Sequence, residues 1–212
     1  MHFFHGNLFK VMIDSSTLKD IIILYAIIKM VIFMLIVSDN LKIRDLQIED
    51  KCYLKKWLNS EAVLEWYEGR DKVFDEHAIE EKFYFQPKKE MIKIIIEFDN
   101  IPIGYGQIYI LDKQLAREYD YEIKNKIVYG MDQFIGESEY WNQGIGTDYV
   151  KLIFEFLKKE TDAEIVLTDP IIKNERAINS YEKAGFMKHH LLKNHELHEG
   201  VVWDAWIMEY KI

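Results

Sequence analysis

Apolar and polar positions divide the chain into a run, a mixed region and a regular alternation of elements. Residues Ile21 to Val37, IIILYAIIKMVIFMLIV, are almost continuously apolar and interrupted only by Lys29. From Leu41 onward there is no internal repeat and no Pro/Ser-rich linker. Leu41 to Arg44 alternates with the period of a strand, and Asp50 is placed to cap a helix running through Trp57. Ser60 to Tyr67 reads as a second helical piece, and Asp75 to Phe85 as a third that Pro87 ends. Met91 to Phe98 and Ile101 to Ile110 are β-rich runs separated by Asp99-Asn100, which predicts an antiparallel hairpin. A polar, acidic stretch from Asp112 to Lys126 precedes a strand from Ile127 to Ile135.

The last third alternates. After a glycine-containing loop comes a helix with Tyr149, Val150, Ile153, Phe156 and Leu157 on one face. Glu164 to Thr168 is a short strand, and Asn174 to Ala184 a helix closed by Gly185. Phe186 to Leu192 and Val201 to Tyr210 finish the chain as strands. The expected class is α+β: a mixed, mostly antiparallel sheet of about seven strands with helices on both faces.

Composition narrows the function. With 212 residues, 49% apolar and 30% charged, the chain is neither a disordered polymer nor a fibre, and it suits one domain of ordinary size. Its one cysteine, Cys52, excludes an internal disulfide and a cysteine zinc site, which favours a reducing, cytoplasmic setting. A formal net charge of −9 argues against a nucleic-acid partner and suits a cationic small molecule. Residues 1–33 carry three lysines against two aspartates, so the acidity belongs to the rest. The apolar run of 17 residues is at the lower limit for a span. Its central lysine would cost roughly 2.5–3.5 kcal/mol on insertion. No A-x-A-like cleavage site follows it. A leader upstream of a start at Met34, an amphiphilic helix and an anchor all remain readings of residues 1–33.

Gly144-Ile145-Gly146-Thr147 lies between a strand and an amphipathic helix. Amides at such a helix start are unpaired and carry the positive end of the macrodipole, so they attract phosphate oxygens. A dinucleotide fingerprint would need glycine where Tyr149 stands, and a Walker loop needs Gly-Lys-Ser/Thr; both are missing.

The segment resembles motif A of the Gcn5-related N-acetyltransferases, R/Q-x-x-G-x-G/A, with Trp141 where Arg or Gln usually stands. Asn174-x-Arg176-Ala177-Ile178-x-x-Tyr181-x-x-x-Gly185-Phe186 resembles motif B. Three further tracts are similar to the aminoglycoside 6'-N-acetyltransferases of that superfamily: Ile101 to Tyr109, Tyr129 to Gly136, and His195 to Gly200. The similarity covers about Met34 to Ile212, which assigns 1–33 to an extension and 34–212 to an acetyltransferase domain. It implies acetyl-CoA as co-substrate, no metal, no membrane, and an aminoglycoside as acceptor.

By resemblance, Phe134, Ile135, Asn142, Gln143, Gly144, Ile145, Gly146, Thr147, Asn174, Ala177 and Tyr181 hold the coenzyme. Asp132 is the candidate base, and Tyr181 the group that protonates or hydrogen-bonds the departing thiolate. Asn174 also suits an N-cap. Trp66, Tyr67, Gln107, Asp132 and Asp169 are expected at the acceptor. Glu118, Asp120, Glu196 and Glu199 are weaker candidates, for each of which a solvated surface charge is the preferred reading. An Asp at its reference pKa of about 3.9 is a poor base for an amine. Burial must raise it, or contacts must lower the amine, or the carboxylate only orients the ammonium. The oxyanion partner expected is a backbone N–H near Gln133 to Ile135. His189, His190, His195 and His198 lack the i,i+4 helical spacing of a zinc protease. With no G-x-S-x-G and no motif around Cys52, direct transfer in a ternary complex is expected. The competing readings are acetylation of a polyamine or protein N-terminus, and a non-catalytic coenzyme-binding module.

Overall fold

The computed structural model describes residues 35–85 and 91–212. The expected extension at 1–33 and the helix-ending Pro87 lie outside the described residues, whose compact unit spans Met34–Ile212. The strands are β1 Leu35–Ser38, β2 Leu41–Asp45, β3 Met91–Phe98, β4 Ile101–Ile110, β5 Val128–Ile135, β6 Ile165–Thr168, β7 Met187–His198 and β8 Val201–Lys211. The helices are α1 Lys51–Trp57, α2 Glu61–Leu64, α3 Glu76–Ile79, α4 Lys113–Glu118, α5 Ile145–Glu160 and α6 Glu175–Ala184. All eight strands share one sheet in the order β1-β2-β3-β4-β5-β6-β8-β7. Among the described strands only β5 and β6 run parallel. No helix among the described residues is long and apolar enough to cross a membrane.

Local chemistry explains the hairpins. Asp99 and Asn100 have φ of 51° and 62°, and Glu199 and Gly200 have 52° and 75°. Two successive left-handed residues make the turn whose twist matches the flanking strands. Phe98 therefore faces Ile101, and His198 faces Val201.

The pleat sorts the core. Ile94 and Ile96 face a cluster built with Tyr149, Val150, Ile153 and Leu157 of α5, while Ile95 faces a second cluster with Leu54, Trp57, Leu58 and Phe83. In β4 the phase slips: Ile96 pairs with Gly104 but Glu97 with Pro102, leaving Ile103 as an extra residue. Its freed carbonyl accepts hydrogen bonds from the Gly136 and Glu137 amides at 2.7 and 3.2 Å. The bulge thereby fixes the end of β5. A third cluster packs Leu111, Ala116 and Tyr119 around α4 against Val128, Ile165, Leu167 and Ile207.

Several expectations change. The sheet has eight strands, because Leu35 to Val37 at the end of the apolar run pair antiparallel with β2. Asp50 occupies the cap position of α1, yet its side chain makes no capping bond. It accepts instead from Arg44 Nη1 and Nη2 at 2.6 and 2.8 Å, and Arg44 also grips Glu97 at 2.6 Å. The predicted Ser60–Tyr67 helix is confined to Glu61–Leu64, so Trp66 and Tyr67 stand in a turn. Asp75 does cap α3 through the Ala78 amide, but the helix widens into a π turn over Glu80–Phe85. The last hairpin is longer than expected, with β7 continuing to His198.

Gly136 shows how tightly this end of β5 is fitted. A Cβ there would lie 2.2–2.4 Å from the Trp57 indole, which is fully buried and tied through Nε1 to Glu137 at 2.9 Å. Gly136→Ala should destabilise the protein by about 1–3 kcal/mol through overpacking. Thermal unfolding should show a Tm several degrees lower; an unchanged Tm would mean that the indole can yield.

Candidate active site

The chain leaves β5 through a short 3-10 turn, Ser138–Tyr140, and enters α5 at Gly144. Gly144 has φ of +87°, a left-handed value that favours glycine, and a Cβ there would meet nothing within 4 Å. No side chain caps α5, so its first amides face outward without partners from its own helix. Thr147 shares a hydrogen bond with Ser180 Oγ at 3.0 Å, joining α5 to α6. Asn174 accepts from the Ala177 amide at 3.1 Å and starts α6.

Between these helix starts lies a cleft of about 490 Å³. Phe134, Ile135, Asn142, Gly144, Ile145, Gly146, Thr147, Asn174, Ala177 and Tyr181 all line it, as do Trp66 and Tyr67. Gln143 does not line it: its side chain turns back to donate to the Glu139 carbonyl at 2.5 Å. The wall also contains Gln133, whose Nε2 donates to the Gly146 carbonyl at 3.4 Å. Its buried Oε1 has no partner among the described residues. Free helix amides at one place and an orphaned acceptor at another fit a ligand carrying phosphates and amide N–H groups, as coenzyme A does.

The cleft opens where the sheet parts. β5 pairs with β4 as far as Ile135, but with β6 only over Val128, Tyr129 and Gly130. Beyond Gly130 its second edge has no strand partner among the described residues, and the peptide groups of Gln133 to Ile135 lie there. The pleat sends Gln133 toward α5 and its neighbours Asp132 and Phe134 to the opposite side.

Asp132 is surrounded by protein. Gln107 Nε2 donates to its Oδ2 at 2.6 Å, and Gln107 Oε1 in turn accepts from Tyr105 at 2.9 Å. Burial first, and then the charge of Asp169, push the Asp132 carboxyl up to about 7, while bonds from Gln107 and Tyr109 pull it the other way. Asp169 accepts from His195 Nε2 at 2.9 Å, and that contact raises the imidazole's pKa. Glu196 is likewise raised, by burial and then by Asp169. Asp132, Asp169 and Glu196 thus form an acidic cluster with His195 as its counter-charge. Burial also lifts Tyr181 well above the ordinary tyrosine range, against an opposing pull from Thr168, so its hydroxyl stays protonated.

Other expectations fall outside this cluster. Glu199 is held by Arg70 at 2.5 and 2.7 Å, and Asp120 is exposed at a left-handed turn position. Glu118 is exposed but its charge acts on His195. No group of three or more His, Cys, Asp or Glu among the described residues is disposed to hold a metal. Gln133 was missed in the sequence because an amide in a strand carries no motif. Only the three-dimensional orphaning of its oxygen reveals it.

A phosphate-seeking helix mouth, a parted parallel strand pair and a carboxylate poised near neutrality define an acyl-transferring enzyme that draws on a coenzyme thioester. A family model described as an acetyltransferase (GNAT) domain matches residues 47–193, and the chain belongs to that family. It is 28% identical over 155 residues to aminoglycoside N(6')-acetyltransferase type 1 of Klebsiella pneumoniae, covering 70% of this chain and 75% of that protein. Among solved structures, AAC(6')-Ib in complex with ribostamycin and coenzyme A aligns with a TM-score of 0.65 at 24% identity, over 82% of this chain and 94% of that one. A spermidine N-acetyltransferase from Vibrio cholerae, in complex with CoA and spermine, aligns with a TM-score of 0.66 at 12% identity, over 82% and 96%. Both share the fold.

The pKa of Asp132 sets a sign. Because the folded state raises it, the ionised form disfavours folding, and this loss grows as pH rises through about 7. Activity that uses the carboxylate has the opposite trend. The kcat/KM profile should rise with an apparent pKa near 7. Asp132→Asn should lower turnover by about 10²–10⁴, while its Tm at alkaline pH equals or exceeds that of the wild type. Wild-type turnover in this variant would remove Asp132 from the chemistry.

Proposed function

We propose that the chain acetylates the 6'-amine of aminoglycoside antibiotics from acetyl-CoA, by direct attack in a ternary complex, and so confers resistance. The observation that carries the reading is the acidic cluster of Asp132, Asp169 and Glu196, taken as the lining of an acceptor hollow, beside a cleft whose wall holds the next residues of β5, Gln133 to Ile135. An aminoglycoside bears several ammonium groups, and carboxylates spaced around a hollow match them. The 28% identity to the Klebsiella enzyme over most of both chains supports the same acceptor.

Each residue then has a task. The α5 amides from Gly144 to Thr147 take phosphate oxygens, and Asn142 and Asn174 flank them. When bound, acetyl-CoA supplies its acyl group as a thioester. Asp132, oriented by Gln107, grips the reacting ammonium and removes its proton as the amine becomes nucleophilic. A peptide N–H on the unpaired edge of β5, between Gln133 and Ile135, stabilises the developing oxyanion. The Tyr181 hydroxyl, kept protonated by burial, donates to the departing sulfur. Asp169 positions a second ammonium, while Trp66 and Tyr67 on the cleft wall border the sugar. Product loses one positive charge and with it one contact to the hollow. The reaction belongs in the cytoplasm, and residues 34–212 are its catalytic unit.

Thiol release measured across a panel separates this reading from its rivals. Aminoglycosides with a 6'-amine should turn over, and analogues lacking it should be poor substrates. Turnover of spermidine or peptides alone would favour the polyamine or N-terminal reading, and coenzyme binding without turnover a binding module. Raising ionic strength from low to physiological should raise the drug KM, because the Debye length falls from about 30 Å at 0.01 M to about 8 Å; a salt-insensitive KM would count against the acidic hollow. Deleting residues 1–33 should leave kcat/KM within about twofold, whereas an insoluble, inactive product would show that they belong to the catalytic unit.

A further inference from the structure

Five side chains form an alternating series of cations and indoles, of which Trp66, Arg176 and Trp141 line the cleft. The Lys173 ammonium lies 5.5 Å from the Trp203 ring and 5.6 Å from the Trp66 ring. The Arg176 guanidinium lies 5.8 Å from Trp66 and 3.8 Å from Trp141. The last contact is a close stack, and its indole is anchored by Nε1 donating to the Ile135 carbonyl at 2.8 Å. Trp141 is therefore a fixed platform, three residues before Gly144.

Arg176 differs from the paired arginines. Arg44 grips Asp50 and Glu97, and Arg70 grips Glu199. Arg176 lines the cleft half-buried and makes no hydrogen bond or ion pair among the described residues. Burial pulls its pKa down, with only the charge of Glu65 acting the other way. A desolvated cation without an anion is costly. Stacking orients its edge donors while leaving them free. The uncapped start of α5, which calls for an anion, lines the same cleft.

We propose that Arg176, braced on Trp141, is the side-chain ligand of the coenzyme's pyrophosphate, supplying from α6 the charge that position 141 does not carry. The assignment rests on the coenzyme reading above and adds a residue to it. The helix amides contribute partial charges, and Arg176 a full one with forked donors suited to two phosphate oxygens. Arg176 is thus a binding and positioning residue, set across the cleft from the amides it complements.

The test is titration of the full-length protein, followed by tryptophan fluorescence, with CoA, 3'-dephospho-CoA and phosphate-free pantetheine. Arg176→Gln should weaken CoA and dephospho-CoA about ten- to a hundredfold. Pantetheine affinity should stay within about twofold, and the salt dependence of CoA binding should become shallower. Arg176→Lys should recover part of the affinity, since it restores charge without the fork. Equal losses for pantetheine would overturn the proposal in favour of a structural role. A loss seen with CoA but not dephospho-CoA would overturn the pyrophosphate assignment in favour of the 3'-phosphate. Unchanged CoA affinity in Arg176→Gln, with normal wild-type binding, would overturn this inference alone. A wild type that does not bind CoA would overturn the coenzyme reading as well.

Discussion

A buried peptide group must find a hydrogen-bond partner, and β5 runs out of partners halfway along one edge. It stays paired to β4 to its end, so it is rigid, yet β6 leaves it after Gly130. Everything else in the site follows from this half-finished pairing. The gap gives a ligand access to main-chain groups inside the sheet, and the helix that follows β5 starts at the mouth of the gap. The Ile103 bulge matters for the same reason, because its carbonyl ties down Gly136 and Glu137 where the strand must stop.

The pleat then turns neighbouring β5 side chains to different surroundings, although Phe134 still borders the cleft. Gln133 reaches α5, whereas Asp132 and Phe134 face the α1–α3 side. Two chemistries of opposite sign can sit a single residue apart. One side offers amide dipoles and Arg176, and suits phosphates. The other offers Asp132, Asp169 and Glu196, and suits ammonium groups. Concentrating carboxylates in a buried place raises Asp132 to about 7, which is the range where a carboxylate can both hold an ammonium and accept its proton. His195 bonded to Asp169 keeps the repulsion within bounds.

Much of this was legible in the chain. The glycine loop, the Asn174 cap, the Gly185 stop and the Asp99-Asn100 turn are local devices, and each does locally what its residue types require. The departures have a shared origin. Asp50 has the right type for a cap, but Arg44 outbids the helix amides for its carboxylate. Gln143 stands in the right motif, but an exposed turn carbonyl takes its amide. Arg176 was visible within motif B, yet nothing local says that it stacks on Trp141, 35 positions earlier in the chain. Leu35 to Val37 read as the end of an apolar run because a short edge strand has no periodicity of its own.

The alternation of strands and helices in the last third, the Asp99-Asn100 turn, the Asn174 start and Gly185 stop of α6, and the residue types able to bind phosphate or carry a proton were determined by the sequence alone. Each depends on backbone preferences and spacing within a few residues. The parting of β5 from β6, the elevated pKa of Asp132, the orphaned oxygen of Gln133 and the seating of Arg176 on Trp141 were decided only by the tertiary structure. Desolvation, and the charges that set a carboxylate's pKa, come from groups brought together from distant parts of the chain, and no local pattern records which groups those will be.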